Sequence, residues 1–334
     1  MSARFDPLQV IEAAYAATAE DEAWLRRIAE AFQPLARGFG ITAVSFDLEG
    51  WRPTKLAGAS LDQPPGLIER MQAVWQDLPQ ETLRAWFEPV PPVDTQLLRI
   101  RRRRAPTADT PVELSRAMGI QDVLGIMGLD PAGHAVQVTL PSASPIRLSP
   151  RLAHRLSLVA AHLAVARRLR SYATGALEAP APDAVLDPSG KVAHAEGEAK
   201  AKDARASLAG AVLKLERARG RLRRTEPDEA LGLWQGLVDG RWSLVDHVEA
   251  DGRRVVLARH NPPGVRDPRA LTARERDVLA YVAQGHGNKY VGYALGLSTT
   301  TVATHLRRAL AKLGLSTRRD AIRLFEAAAR AGRP

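Results

Sequence analysis

Cysteine is absent from the 334 residues of this chain. Disulfides, thiolate metal sites, iron–sulfur clusters and cysteine nucleophiles are therefore excluded, and a reducing cytoplasm is the expected compartment. Long apolar runs are missing too. The longest nearly apolar stretch, Leu158–Ala166, is interrupted by His162 and falls far short of the roughly 18–20 residues of a membrane span. The opening residues lack the charged-then-apolar order of a signal peptide, so no membrane partner is expected. No Gly-rich phosphate loop, G-x-S-x-G elbow or H-E-x-x-H pair occurs, which leaves no candidate catalytic residue. His154 and His162 lie on one predicted helix but not at the i, i+4 spacing of a metal pair, and they are read as non-ligands. No metal and no cofactor are expected.

What the chain does have is the composition of a folded, multidomain protein: 45% hydrophobic and 25% charged residues, at a length suited to two or three domains. Its formal net charge of +10 is unevenly spread. Residues 266–334 hold 13 Lys/Arg against 5 Asp/Glu, so a surplus of eight falls in the last 69 residues. A terminal basic module beside a near-neutral remainder points to a polyanionic partner.

Residues 1–172 alternate helical and strand signals. Two helices are predicted between Pro7 and Phe39, with Leu25, Ile28, Phe32 and Leu35 at helical spacing, and strands over Ile41–Leu48 and Trp51–Ala59. Leu67–Phe87 reads as helical. Val123–Leu129 and Ala135–Leu140 form a predicted hairpin around Asp130-Pro131-Ala132-Gly133. A long helix follows from the Ser149-Pro150 cap. Its stripe of Leu152, Leu156, Val159, Leu163, Ala166 and Leu169 suits packing on its own sheet, on a second subunit, or on both. The four arginines Arg101–Arg104 read as a solvated strand end, with DNA or an acidic partner as the alternative.

Residues 173–183, rich in Ala and Pro, read as a linker. The next module, 184–261, is predicted to hold strands Ala184–Leu186 and Lys191–Ala195, a basic helix up to Arg224, a helix carrying Leu231, Trp234 and Leu237, and a hairpin of Trp242–Glu249 with Arg253–His260 turning at Asp251-Gly252. The first module resembles GAF domains and the second an abbreviated PAS domain; α+β domains that serve only for dimerisation or spacing are the alternative. The fold class expected is therefore multidomain: two α+β sensor-like domains, then an all-α domain over 266–334.

That last segment separates into four helices. Thr272 and Glu275 form a capping box ahead of the apolar positions Val278, Leu279 and Val282. Gly285-His286-Gly287 ends this helix, Asn288–Leu295 forms the second, and Gly296 breaks it. Ser298 caps a third helix over 299–313, and Ser316 or Thr317 caps the fourth. At about 100° per residue, Val302, Leu306, Ala309 and Leu313 share one face of the third helix, while Thr300, Ala303, Thr304, Arg307 and Ala311 turn outward. Thr301, His305, Arg308 and Lys312 flank that outward face. A short helix, a Gly-containing turn and a helix with a polar outer face make a helix-turn-helix, whose second helix enters the major groove. Arg307 has the reach for a bidentate contact with guanine, and the methyl groups of Ala303 and Thr304 match thymine methyls. The N–H groups after Ser298, with the helix dipole, suit a phosphate.

Here a family resemblance emerges. Residues 271–325 resemble the LuxR-type (GerE/FixJ-like) helix-turn-helix of bacterial transcription regulators. The matches are Leu271-Thr272, Arg274-Glu275, Val278-Leu279, Gly285, Asn288-Lys289, Leu295, Ser298, Thr301-Val302, His305, Lys312-Leu313 and Arg318. The resemblance implies that the third helix reads bases through Thr300, Ala303, Thr304 and Arg307. It gives backbone contacts to Lys289, His305 and Lys312, to which the helix face adds Thr301 and Arg308 and the helix start adds Ser298 and Thr299, and it makes the fourth helix a dimerisation element, for which Leu324 and Ala328 are the candidates. Ala303 stands where members often carry a basic residue. Gly292 stands where they carry alanine, which is expected to loosen the supporting helix. The acidic cluster, strand-terminal aspartate and lysine of a phospho-acceptor receiver are not found, nor is the tryptophan–tyrosine–aspartate pattern of acyl-homoserine-lactone receptors. The expected partners are double-stranded DNA, a second copy of the chain, an unidentified small-molecule effector and RNA polymerase. The competing reading is a sensory or scaffold protein whose terminal helices bind another protein.

Overall fold

In the computed structural model the residues described are 5–16, 20–49, 52–87, 91–97, 115–130, 133–173, 181–238, 241–249, 251–260, 271–313 and 315–323. Arg101–Arg104, the core of the predicted linker, and Leu324 and Ala328 lie outside them. The chain folds as two compact units: residues 1–14 with 18–167, and residues 15–17 with 168–334.

The first unit is built on a five-stranded antiparallel sheet. Its strands are β1 (Ile41–Glu49), β2 (Arg52–Leu61), β3 (Val93–Thr95), β4 (Asp122–Leu129) and β5 (His134–Ser142), ordered β2-β1-β5-β4-β3. Helices α1 (Pro7–Tyr15) and α2 (Asp21–Ala31) precede it, as the spacing of Leu25, Ile28 and Phe32 predicts, and all three of those side chains are fully buried. The predicted β4–β5 hairpin forms, with Gly133 at φ +95° and the Asp130 carboxylate accepting from the His134 amide at 2.9 Å. Residues 41–47 of β1 are buried without alternation, because the sheet is covered on both faces. On one face, α3 (Leu67–Asp77) and α4 (Gln80–Phe87) close a core of Val44, Phe46, Met127, Leu129 and Leu83. The opposite face receives the long helix α5 (Pro150–Ala173), whose first turn is capped by the Ser149 hydroxyl at 3.2 Å from the Leu152 amide.

Gly128 explains how α5 comes so close to the sheet. A Cβ there would sit 2.5 Å from the Ala160 carbonyl oxygen and 2.6 Å from the Ala164 nitrogen. The helix thus packs on its own sheet, but not through a single stripe. Leu158, Ala160, Ala161, Ala164 and Val165 are buried together with the predicted Leu156, Val159, Leu163 and Ala166, whereas Leu152 and Leu169 are only half-buried. Heptad spacing underestimates a helix that small alanines allow to be enclosed on all sides.

The second unit carries a smaller antiparallel sheet, β7-β6-β9-β8, from β6 (Ala184–Leu186), β7 (Val192–Ala195), β8 (Trp242–Val248) and β9 (Arg254–His260). The β8–β9 hairpin turns through Gly252 at φ +83°. The predicted basic helix is two pieces, α6 (Lys202–Arg219) and α7 (Arg221–Thr225), broken at Gly220. The next helix, α8 (Pro227–Leu233), is shorter than predicted: Trp234 is its C-cap, and Leu237 lies beyond it. Both side chains are nevertheless buried, so their apolar spacing reflects the core rather than helical continuation.

Candidate nucleic-acid interface

The same unit contains the terminal helices α9 (Ala273–Ala283), α10 (Asn288–Leu295) and α11 (Thr299–Lys312). The capping box of α9 is complete. Glu275 Oε2 accepts from the Thr272 amide at 2.9 Å, and Thr272 Oγ1 accepts from the Glu275 amide at 3.3 Å. Val278, Leu279 and Val282 are buried as predicted. Gly296 ends α10 in the left-handed region at φ +66°, where a glycine is favoured. Ser298 then caps α11, its hydroxyl accepting from the Thr301 amide at 3.0 Å. A further helical turn covers 318–323, and Thr317 caps it: Thr317 Oγ1 accepts from the Asp320 amide at 3.2 Å, and Asp320 Oδ2 accepts from the Thr317 amide at 2.9 Å.

On α11 the predicted faces separate. Val302, Leu306 and Ala309 are buried and Leu313 is half-buried. Thr300, Ala303, Arg307 and Ala311 are exposed, and Thr304 is half-buried. Thr304 Oγ1 donates to the Thr300 carbonyl at 3.0 Å, so its methyl group and its oxygen lone pairs are what remain to meet a partner. Arg308, Lys289, Ser298 and Thr299 are also exposed, with Thr301 and His305 half-buried beside them. Burial, Arg274 and Arg308 together lower the pKa of His305 against the opposing pull of Glu275.

Lys312 makes a contact that helical spacing does not reveal. Its Nζ lies 2.7 Å from Glu275 Oε2, a carboxylate whose side chain is only 3% exposed. Burial alone would raise the pKa of Glu275, but the bonds from Lys312 and Thr272 hold it below its ordinary value. The ion pair ties the end of α11 to the start of α9. Arg318 does the equivalent for α10: Nη1 donates to Asn288 Oδ1 at 2.9 Å, and Nη2 donates to the His286 carbonyl. His286 is buried and stacks on Tyr290 with ring centroids 4.3 Å apart. From the sequence it reads only as part of a helix stop, although its place between two glycines beside an aromatic pair is the available signal.

The arrangement is a helix-turn-helix, with α10 as the supporting helix and α11 as the exposed one. Residues 269–325 match the family described as bacterial regulatory proteins, luxR family (GerE), and form its helix-turn-helix domain here. Over 61 residues the chain is 41% identical to the HTH-type transcriptional activator RamA of Corynebacterium glutamicum, covering 18% of this chain and 22% of that protein. Over 56 residues it is 41% identical to the nitrate/nitrite response regulator protein NarL of Escherichia coli, covering 17% and 26%. These regulators are thus matched over about a quarter of their own length. Among solved structures, SdiA of Escherichia coli is similar at 12% identity over 94% of this chain and 92% of that one, with a TM-score of 0.33.

Proposed function

We propose that the protein is a cytoplasmic, sequence-specific DNA-binding transcription regulator that acts as a homodimer. The observation that supports it is the exposed face of α11, which presents Arg307 with the small side chains of Thr300 and Ala303, while Arg308 on the same helix and Lys289 on α10 are exposed as well. Arg307 reads a base edge; Lys289, Arg308, Lys312, His305 and the amides after Ser298 hold phosphates. Two copies present their α11 helices to half-sites one helical turn apart, about 34–36 Å, with Leu324 and Ala328 contributing to the dimer.

The remainder divides into a GAF-like sensor module over 1–172, a linker over 173–183 and a PAS-like module over 184–261, ahead of the helix-turn-helix over 266–334. Antiparallel sheets flanked by helices in both α+β blocks support the sensor reading. A small-molecule effector biases these modules and thereby the spacing of the α11 pair. RNA polymerase is the downstream partner. Among the described residues no helix is long and apolar enough to cross a membrane.

Selection of duplexes from a random pool by the purified full chain tests this reading. The expected result is a two-fold-symmetric site bound with a log–log salt slope of about −0.9 per neutralised phosphate. An unenriched pool, with affinity for DNA unchanged by salt, would make the terminal helices a protein-binding module instead.

A further inference from the structure

The first unit contains a cavity of about 240 Å³ between the sheet and the helices α3 and α4. Its walls are apolar, with Leu67, Met71, Val74 and Trp75 of α3 and, beyond it, Leu78 and Leu83. Its sheet side is different. Gln137 and Thr139 are alternate residues of β5, so both side chains point to one face, and Thr42 is the cross-strand partner of Thr139 on β1. Three neutral polar side chains of the sheet therefore face the apolar side chains of α3, and the lining also includes the neutral Gln63, Gln96 and Ser115. Resting on the reading of this unit as a sensor, we propose that the chamber is its effector site and that the effector is a small uncharged molecule: an apolar ring or short chain bearing one hydroxyl or amide.

Size sets the first limit. An apolar cavity of about 150 Å³ holds a benzene ring, so this chamber suits about ten non-hydrogen atoms, just below the range typical of drug-sized ligands. Charge sets the second. Among the described residues that line it only Arg70 is ionic; it is exposed, and its Nη1 donates to the Pro65 carbonyl at 2.9 Å. An ionised head group inside would be desolvated with, among those residues, at most this one exposed guanidinium to meet it. Hydrogen bonding sets the third. Gln137 Oε1 is buried and accepts no hydrogen bond. A buried acceptor left unmade is costly, and the soft terminal torsion of glutamine lets the amide turn its carbonyl into the chamber. A ligand O–H or N–H would satisfy that oxygen, while Thr42 and Thr139 offer hydroxyls to the ligand's own acceptor.

The test uses the full chain and three ring compounds of nearly equal size: 4-propylphenol, 4-propyltoluene and 4-propylbenzoate. Binding is measured by calorimetry, and the affinity for the selected duplex is measured with and without the phenol. The phenol is expected to bind at least about tenfold more tightly than the toluene, and the benzoate more weakly than both. Gln137→Leu should erase the preference for the phenol, leaving the toluene bound as well or better, which a misfolded variant would not do. Val123→Phe, on the cavity lining, should abolish binding of both while leaving Gln137 intact. Equal binding of phenol and toluene to the natural chain, tightest binding of the benzoate, or no binding of any probe overturns the proposal. If the phenol binds without altering DNA affinity, the pocket stands and the sensory reading fails. DNA binding with an empty pocket leaves the regulator reading standing and removes this one.

Discussion

The phenol oxygen of Tyr293, on the supporting helix α10, lies 2.7 Å from the carbonyl of Trp234 and 3.0 Å from that of Leu231. Both carbonyls belong to the end of α8, where a helix leaves acceptors without partners of its own. Gly296 follows on the same side: a Cβ there would sit 2.1 Å from the Leu237 carbonyl oxygen. The helix-turn-helix is thus joined to the smaller α+β block through α10, while Thr300, Ala303 and Arg307 of α11 stay exposed. Tyr293→Phe should cost about 0.5–1.5 kcal/mol in urea unfolding of the full chain. Gly296→Ala, forced into the left-handed region against a carbonyl, should cost more than about 1 kcal/mol. Two neutral variants would mean that this junction does not persist in solution.

Arg307 and Lys289 separate base reading from charge. Arg307→Ala should cost about 1–3 kcal/mol on the selected duplex and relax the preference at one base pair. Lys289→Ala should weaken every sequence alike and reduce the salt slope by about one. Fluorescence anisotropy across a set of single-base variants at several salt concentrations distinguishes the two. Equal, sequence-independent losses would remove Arg307 from the reading face.

Lys312 should behave differently from Lys289 because it also neutralises Glu275. In the natural chain the carboxylate of Glu275 is held below its ordinary pKa, so its contribution to stability is present above the unfolded value, about 4.3, and is lost as pH falls through the folded one. Lys312→Met removes the cation and leaves burial opposed only by the bonds from Thr272, so the same pKa should rise. The variant should then gain less stability than the natural chain as pH rises from about 3 to about 6. Thermal unfolding of both proteins across that window checks it, and parallel curves would show that Lys312 does not govern the charge of Glu275.

His286 gives a second acid-sensitive element. Burial, assisted by the Arg318 guanidinium, lowers its pKa from about 6.5 to about 4. Neutral in the fold and protonated when unfolded, it contributes stability that is full above about 6.5 and declines toward pH 4, by about 3 kcal/mol over that span. His286→Phe keeps an aromatic ring against Tyr290, removes the titrating group and should flatten this part of the pH–stability curve.

The parts of this molecule legible in its sequence are those fixed by local chemistry. Thr272 with Glu275, Ser298, Gly296 and the Asp130–Gly133 turn each carry their own structural instruction, and the faces of α11 follow from 3.6-residue spacing. What is not legible depends on partners far along the chain. Nothing near Tyr293 indicates the end of α8, 59 residues away, and nothing near Lys312 indicates Glu275, 37 residues earlier. Leu237 reads as helical because it is apolar at the right interval, yet burial against a core produces the same interval without a helix. The five-stranded sheet can be anticipated in part, strand by strand, but the cavity depends on which face of β5 meets α3, and that is a property of the assembled unit.

Gly292 shows how packing reverses a local expectation. By helix propensity alone, glycine inside α10 is a weakness, and Gly292→Ala should stabilise by about 0.5–1 kcal/mol. In the folded domain, however, the turn after α10 folds back on this residue: the Leu297 amide donates to the Gly292 carbonyl at 2.8 Å, and a Cβ on Gly292 would lie 2.6 Å from the Leu297 carbonyl oxygen. That oxygen is backbone, one residue before the Ser298 cap of α11, so relieving the clash means moving the start of the exposed helix. Overpacking of this kind typically costs about 1–3 kcal/mol, which exceeds the propensity gain. Gly292→Ala should therefore lower the unfolding midpoint and, by shifting Ser298 and Thr300, weaken binding to the selected duplex. A variant that is more stable and binds equally well would show that the turn yields more easily than its geometry indicates.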